Sequence, residues 1–354
     1  MNIKISFFIL LFSISSVHAH EVAVDEHAPF VPIPDYIPNI SGASAEASLD
    51  SLKKLLAILD DKTKTRFMFT LDSPERQIWS NLPPHLVKRS GIAIDELSDP
   101  QRIAFFNFLS SSLSQQGYEK VAHIIAAEAF LDKDTQTSNS RYNPANYWFS
   151  IYGEPSMNGN WGWQIDGHHL AMNISISDGV TSSMSPSFIG TEPSVFTING
   201  KKYSDFISMH QSGTNIYASL TKDQKKLATL QQAPSDVLTG ANKDGVIPTL
   251  EGIKGSKLSN EQKQLLLKSI RQWVQLQANE NANKRMKEIE ANIDNIRFAW
   301  VEKKQGTDTY FRIQGPTLII ELLLKAIPKN APKGSEHYHT MYRNQTLEYG
   351  IKNK

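Results

Sequence analysis

The sequence predicts an α+β fold: a largely antiparallel sheet from the central and C-terminal segments, packed against helices from the N-terminal third and the middle. Three observations predict it. Helix-period apolar stripes with recognisable caps fall at residues 44–60, 98–131, 203–232 and 259–292. Strand-like composition falls around 147–177 and 296–343. The two kinds are segregated along the chain, which argues against alternating βαβ units.

Taken in order, Lys4 precedes an apolar run at residues 5–17 (ISFFILLFSISSV), and Val17-His18-Ala19 fits a small-x-Ala cleavage pattern. Residues 1–19 read as a secretory signal. The run is shorter than the ~20 residues that span a bilayer, and no later run approaches that length. The mature chain is expected to be exported, periplasmic or secreted, with no membrane span and with His20 at its start. Residues 20–43 carry four prolines and read as an extended lead-in; residues 44–354 read as one domain.

Leu49, Leu52, Leu56 and Leu59 mark an amphipathic helix. Residues 72–97 read as a loop-rich connection broken at Gly91. Ser98 and Gln101 form a capping box ahead of Ile103, Phe106, Leu109 and Leu113. A further helix follows Gly117; on it His123 and Glu128 read as core or boundary residues. Residues 147–152 and 161–177 read as strands, with a break at Gly167. Simple alternation sends His168 to the face of Leu170 and Met172, and His169 to the face of Asn173. Helices are expected at 203–219 and 221–232, then a long loop over 233–258. Ser259 and Gln262 cap a helix expected to run to about residue 292. Strands at 296–302, 309–314, 317–324 and 336–343 complete the sheet. No internal repeat stands out.

Composition narrows the function. The net charge is +1, so no whole-protein field favours nucleic acid or an anionic membrane. With no cysteine, the chain forms no disulfide, and a metal site must use histidine, carboxylate or amide ligands. There is no G-x-S-x-G elbow, H-E-x-x-H, Walker loop or G-x-G-x-x-G, which removes the usual support for serine hydrolase, zincin and nucleotide-binding readings.

The candidate chemistry lies in two histidine pairs. His337 and His339 are two apart on an expected strand, so both rings point to one face; His168 and His169 lie in another. Three neutral imidazoles suffice for zinc with an open position, or for copper. In the copper case His20 would also matter. Glu321 interrupts the apolar run TLIIELLL, where a carboxylate must be paired or ligate something; it is a candidate ligand or general base. Arg312, on the preceding strand, is either its partner or a clamp for an anionic substrate group, with Gln314 on the same face. Trp161 and Trp163 share a face and offer an aromatic platform, and Glu154 and Asp166 lie nearby in sequence; Asp166 is a candidate orienting partner for a histidine. The expected activity is that of a metal-dependent hydrolase or oxidoreductase acting on a small molecule. The alternative is a non-enzymatic small-molecule binding protein with an aromatic-lined pocket.

Residues 143–173 (NPANYWFSIYGEPSMNGNWGWQIDGHHLAMN), SPSFIGTEPSVF, YFRIQGPTLIIEL, HYHTMYRN and Tyr349-Gly350 together resemble the domain-of-unknown-function 3500 family. The upstream DSPERQIWSNLP and LSDPQRIAFFNFLSSSLSQQGYEKV fit it too, so the resemblance covers roughly residues 45–350. It implies one full-length domain, often exported, with no established catalytic residues to carry over. The family's last segment resembles N-H-I-H-x-x-W-R-D. Here Tyr342 stands for its Trp and Asn344 for its Asp, which weakens any acidic role at that position.

Overall fold

The computed structural model describes residues 43–131, 142–198, 200–301, 307–326 and 333–352. The signal expected at residues 1–19, His20 and most of the expected lead-in lie outside the described residues. The chain begins with α1 (Ala45–Ala57) and α2 (Asp61–Phe67), passes through the short strands β1 (Met68–Phe69) and β2 (Ile92–Ala93), and continues as α3 (Asp99–Ser112) and α4 (Gln115–Glu128). A meander follows: β3 (Tyr147–Gly153), β4 (Asn160–Gly167), β5 (Leu170–Ser177), β6 (Val180–Ser183) and β7 (Ser187–Thr191). The small pair β8 (Phe196–Ile198) and β9 (Lys201–Tyr203) leads to α5 (Asp205–Ser219), α6 (Lys222–Ala228), β10 (Thr229–Leu230) and β11 (Ile253–Lys254). Then come α7 (Asn260–Val274), α8 (Asn279–Ala291), β12 (Arg297–Val301), β13 (Thr309–Gly315), β14 (Leu318–Leu324) and β15 (Tyr338–Arg343), with a last pair, β16 (Leu347–Glu348) and β17 (Ile351–Lys352).

Thirteen of these strands form one sheet, in the spatial order β1-β3-β4-β5-β7-β15-β14-β13-β12-β10, with β2 on β3, β6 on β5 and β11 on β12. Only the edge pairs β1/β3 and β10/β12 are parallel. The fold is α+β, as the segregation of helix and strand patterns predicts. The helix stripe expected from 259 to about 292 is two helices, α7 and α8, with buried Leu276 and Ala278 at the bend between them.

The two faces of the sheet differ in kind. Alternate residues (Phe149, Trp163, Ile165, Met172, Phe311, Ile313, Ile320, Leu322) enter the main core under the helices. Their neighbours point the other way and are largely polar yet buried: Gln164, Asp166, Asn173, Arg312, Gln314, Glu321 and Arg343. Polar groups removed from water must be paired, and here they pair with two long loops laid on that face. Asp166 holds Arg89 at 2.9 Å. Arg312 donates to Thr249 O at 2.7 Å and Gln314 to Pro248 O at 2.8 Å.

An internal repeat, which the sequence did not reveal on inspection, is plain in the structure. Each half runs helix, helix, parallel edge strand, long loop, short antiparallel strand, two helices and a meander. β7 and β15 join the halves at the centre of the sheet. The repeated residues are those with backbone duties. G-I-x-x-x-x-L-S-x-x-Q occurs at 91–101 and again at 252–262. Gly91 and Gly252 have φ of 107° and 91°. A Cβ at either would lie 2.3 Å from a carbonyl oxygen, of Phe149 and Phe298 respectively. Gln101 and Gln262 each accept from the cap serine N–H at 2.9 Å, and donate to the end of the first helix of their half, at Ile58 O and Ser219 O. The repeat is faint in sequence because packing positions accept many apolar residues, whereas these few positions have backbone geometry to satisfy.

Candidate metal centre

β4 and β5 are joined by a two-residue turn, since Gly167 pairs directly with Leu170. His168 and His169 are that turn. They therefore do not alternate to opposite faces as strand residues would; their rings lie side by side, centroids 3.6 Å apart and planes tilted by 32°. His169 sits at φ 61°, a left-handed conformation that costs a non-glycine residue of order 1 kcal/mol. β7 runs beside β5, and β15 beside β7. His339 on β15 pairs with Gly190, where a Cβ would lie 3.1 Å from the His169 ring and 3.4 Å from that of His339. The missing side chain at Gly190 is what lets the two rings approach each other.

Three ring nitrogens converge. His337 Nε2 lies 2.9 Å from His169 Nε2 and 2.9 Å from His339 Nε2. Each opposite nitrogen faces a carboxylate. His339 Nδ1 is 2.7 Å from Asp236, His169 Nδ1 is 3.3 Å from Glu128, and His337 Nδ1 is 3.4 Å from Glu192. Glu128 also lies 2.9 Å from His168 Nδ1. His169 is fully buried, whereas the side chains of His337, Glu192 and Asp236 are 27%, 39% and 44% exposed. The cluster thus opens to solvent on the His337 side.

Electrostatics favour neutral rings. Burial, reinforced by the neighbouring histidines, holds His169 well below the usual imidazole range. Burial and then His339 bring His337 to about 3, and burial brings His168 to about 4. Burial pushes Glu128 well above the carboxylate range, and Glu192 upward as well. Burial would also raise Asp236, but the hydrogen bond from His339, with those from Val237 and Asn81, holds it low.

A family model described as "Protein of unknown function (DUF3500)" matches residues 41–351. The chain belongs to that family. No curated protein and no solved structure matches it.

In this DUF3500 member, the other residues singled out from sequence lie elsewhere. Glu321 shares a sheet face with His339, but its carboxylate accepts from Leu238 N (2.7 Å), Thr239 N (2.9 Å), Thr239 Oγ1 (2.5 Å) and Tyr310 Oη (2.6 Å). It anchors the loop segment that carries Asp236. Arg312 is not its partner: the guanidinium turns to Thr249 O and to Glu251, 3.0 Å away. Gln314 holds the same loop. Trp161 and Trp163 are buried under the helices, Trp163 edge-on to Phe108. Asp166 pairs with Arg89, not with a histidine. Glu154 is exposed in the β3–β4 turn, at the opposite end of these strands from His168. His123 Nδ1 pairs with Asp205.

Three carboxylates of the cluster escaped the sequence reading. Glu128 ends an apolar helix and reads as a core residue, while Asp236 and Glu192 stand in turn-rich segments among other polar residues. No local pattern links them to the histidines; only the sheet order does.

Proposed function

We propose that this chain is a metal-dependent protein whose centre is one zinc or copper ion held by Nε2 of His169, His337 and His339. One observation carries the reading: His337 Nε2 touches two other Nε2 atoms at once. A ring nitrogen bears either one proton or one lone pair. If His337 Nε2 donates, it satisfies only one neighbour. If it accepts from both, His339 must present a bare Nδ1 lone pair to Asp236, whose carboxylate is held in its charged form. Protonating His169 or His337 instead is opposed by their burial. A cation removes the conflict: every Nε2 lone pair points to the ion, and the Nδ1–H of His339 to Asp236. Carboxylates behind ligating histidines are the usual means of fixing ring orientation and tautomer. Zinc–nitrogen bonds of about 2.0–2.1 Å in tetrahedral array need nitrogens roughly 3.3 Å apart, so the two pairs that His337 makes need only spread by a few tenths of an ångström.

Three protein ligands leave a position for water or substrate, on the solvent side near His337. With zinc, the bound water is activated for hydrolysis of a small molecule; with copper, the centre supports one-electron chemistry or copper carriage, where His20 becomes relevant. Around it Glu128, Asp236 and Glu192 hold the rings, and Glu321 holds the loop that brings Asp236. The leader at residues 1–19 supports an exported protein that meets its metal outside the cytoplasm.

The test is elemental analysis of the natively exported mature chain beside a His337→Ala/His339→Ala variant. Bound zinc or copper, lost in the variant, is expected. Absence of either metal after exposure to both ions overturns the reading.

A further inference from the structure

We propose that Glu128 Oε1, His168 Nδ1 and His169 Nδ1 form a second cation site, for a divalent transition metal, joined to the first through the imidazole of His169. This rests on the reading of the first centre, whose ligand His169 it shares.

The geometry of the buried atoms carries it. Glu128 Oε1 is 2.9 Å from His168 Nδ1 and 3.3 Å from His169 Nδ1. The three ligand atoms lie within 4.8 Å of one another. Yet Glu128 Oε1 and His169 Nδ1 both lack a hydrogen-bond partner while fully shielded from water. A hydrogen bond needs its proton on the line between the atoms. Two ligands of one cation instead aim at a third point between them, which suits Glu128 Oε1 and His169 Nδ1, close but not aligned; His168 Nδ1 meets Glu128 Oε2 at 3.0 Å in a hydrogen bond that the ion would replace. Buried polar atoms left unpaired are costly and call for an explanation such as an ion.

The turn supports the same arrangement. His169 is held at positive φ in the β4–β5 turn, and the adjacent His168 ring places both Nδ1 atoms beside Glu128. The equivalent turn of the other half, between Gly315 and Leu318, is Pro316-Thr317, with no residue at positive φ. The histidine turn with its left-handed His169 is thus peculiar to the half that faces Glu128.

Charge balances as well. On binding, the Nδ1 proton of His169 and the proton that burial keeps on Glu128 both leave to solvent, and the freed lone pairs form the bonds to the metal. His168 transfers its proton from Nδ1 to Nε2 and ligates as a neutral ring. Four negative groups (Glu128, Asp236, Glu192 and the His169 imidazolate) then face the four positive charges of two divalent ions, which a largely dry site requires.

The experiment uses the full mature chain, equilibrated with excess zinc alone and dialysed. Two zinc ions per chain are expected, falling to one in His168→Ala. One per chain in the wild type, or two retained in His168→Ala, overturns the second site and leaves the first standing; none overturns the second site and leaves the first to be decided by exposure to copper as well. An independent reading on the wild type is spin resonance with copper(II) alone at two ions per chain. Coupling through the shared imidazolate is expected to reduce the integrated signal well below the total copper. A signal that accounts for all the copper overturns the bridge.

Discussion

At the scale of single residues, the centre depends on what stands behind each ring. Asp236 is the most tightly engaged of the three carboxylates, at 2.7 Å from His339 Nδ1. Its own position is set by Val237 N and by Asn81 Nδ2. Asp236→Asn keeps the shape but removes the charge that stabilises the Nδ1–H tautomer. Metal affinity is expected to fall about 10- to 100-fold, measured by competition with a chromophoric chelator. A second residue-scale prediction lies away from the centre. Lys120 sits with Nζ 4.8 Å from the centre of the Phe206 ring, and burial lowers it to about 8, against a partial opposing pull from Asp205. Its folded value is below its unfolded one, so between about pH 8 and 10.5 the unfolded chain binds the extra proton. Stability therefore rises with pH across that window and is penalised below it. Lys120→Met is expected to be more stable than wild type at pH 7, with the difference shrinking towards pH 10 in thermal melts. A constant difference across that range would show that the ammonium pays no desolvation cost.

At the scale of elements, the polar sheet face explains why so many charged residues are buried without forming a catalytic cleft. Arg343 donates to Thr239 O at 2.7 Å and to Gly240 O at 3.2 Å, and meets Asp244 at 2.9 Å and Glu348 at 2.7 Å. With Glu321, Arg312 and Gln314 it ties the 231–252 loop to the sheet, as Arg89 and Asp166 tie the loop between β1 and β2. These groups stiffen a scaffold that must present Asp236 accurately. The repeat makes its own prediction. Gly91→Ala and Gly252→Ala each force a side chain into a left-handed position and against a carbonyl oxygen 2.3 Å away. Both are expected to cost more than about 2 kcal/mol in urea unfolding, and by similar amounts. A neutral effect at one of them would break the equivalence of the halves.

At the scale of the whole molecule, the sheet is continuous through β7 and β15, and the centre draws on both halves. Glu128, His169 and Glu192 come from the first; Asp236, His337 and His339 come from the second. No helix among the described residues is long and apolar enough to cross a membrane. Since the ion would clamp the junction, its removal is expected to lower the melting temperature of the entire chain, not of one half. At metal concentrations 100 times the dissociation constant the linkage is about 2.7 kcal/mol. Calorimetry with and without a chelator should show one transition that shifts; two transitions of which only one moves would mean that the halves unfold separately.

The sequence by itself determined the local layer of this protein. Helix stripes, the capping boxes at Ser98 and Ser259, and the strand segments at 147–177 and 309–343 depend on periodicity and caps a few residues apart, and so are legible in one dimension. The H-x-H pair at the start of β15, with His337 just before the strand and His339 on it, and the histidines after Gly167 were legible for the same reason. The tertiary structure decided the rest. It placed Glu128, Asp236 and Glu192 behind the rings, turned His168 and His169 into a hairpin turn, and gave Glu321 and Arg312 to the loops. It also exposed a repeat carried by a handful of glycine, serine and glutamine positions. Each of these depends on which strands lie side by side, and that order is set by burial of the whole apolar face at once. The free energy that brings β7 to β15 is spread over the entire core, and leaves no mark at the residues it brings together.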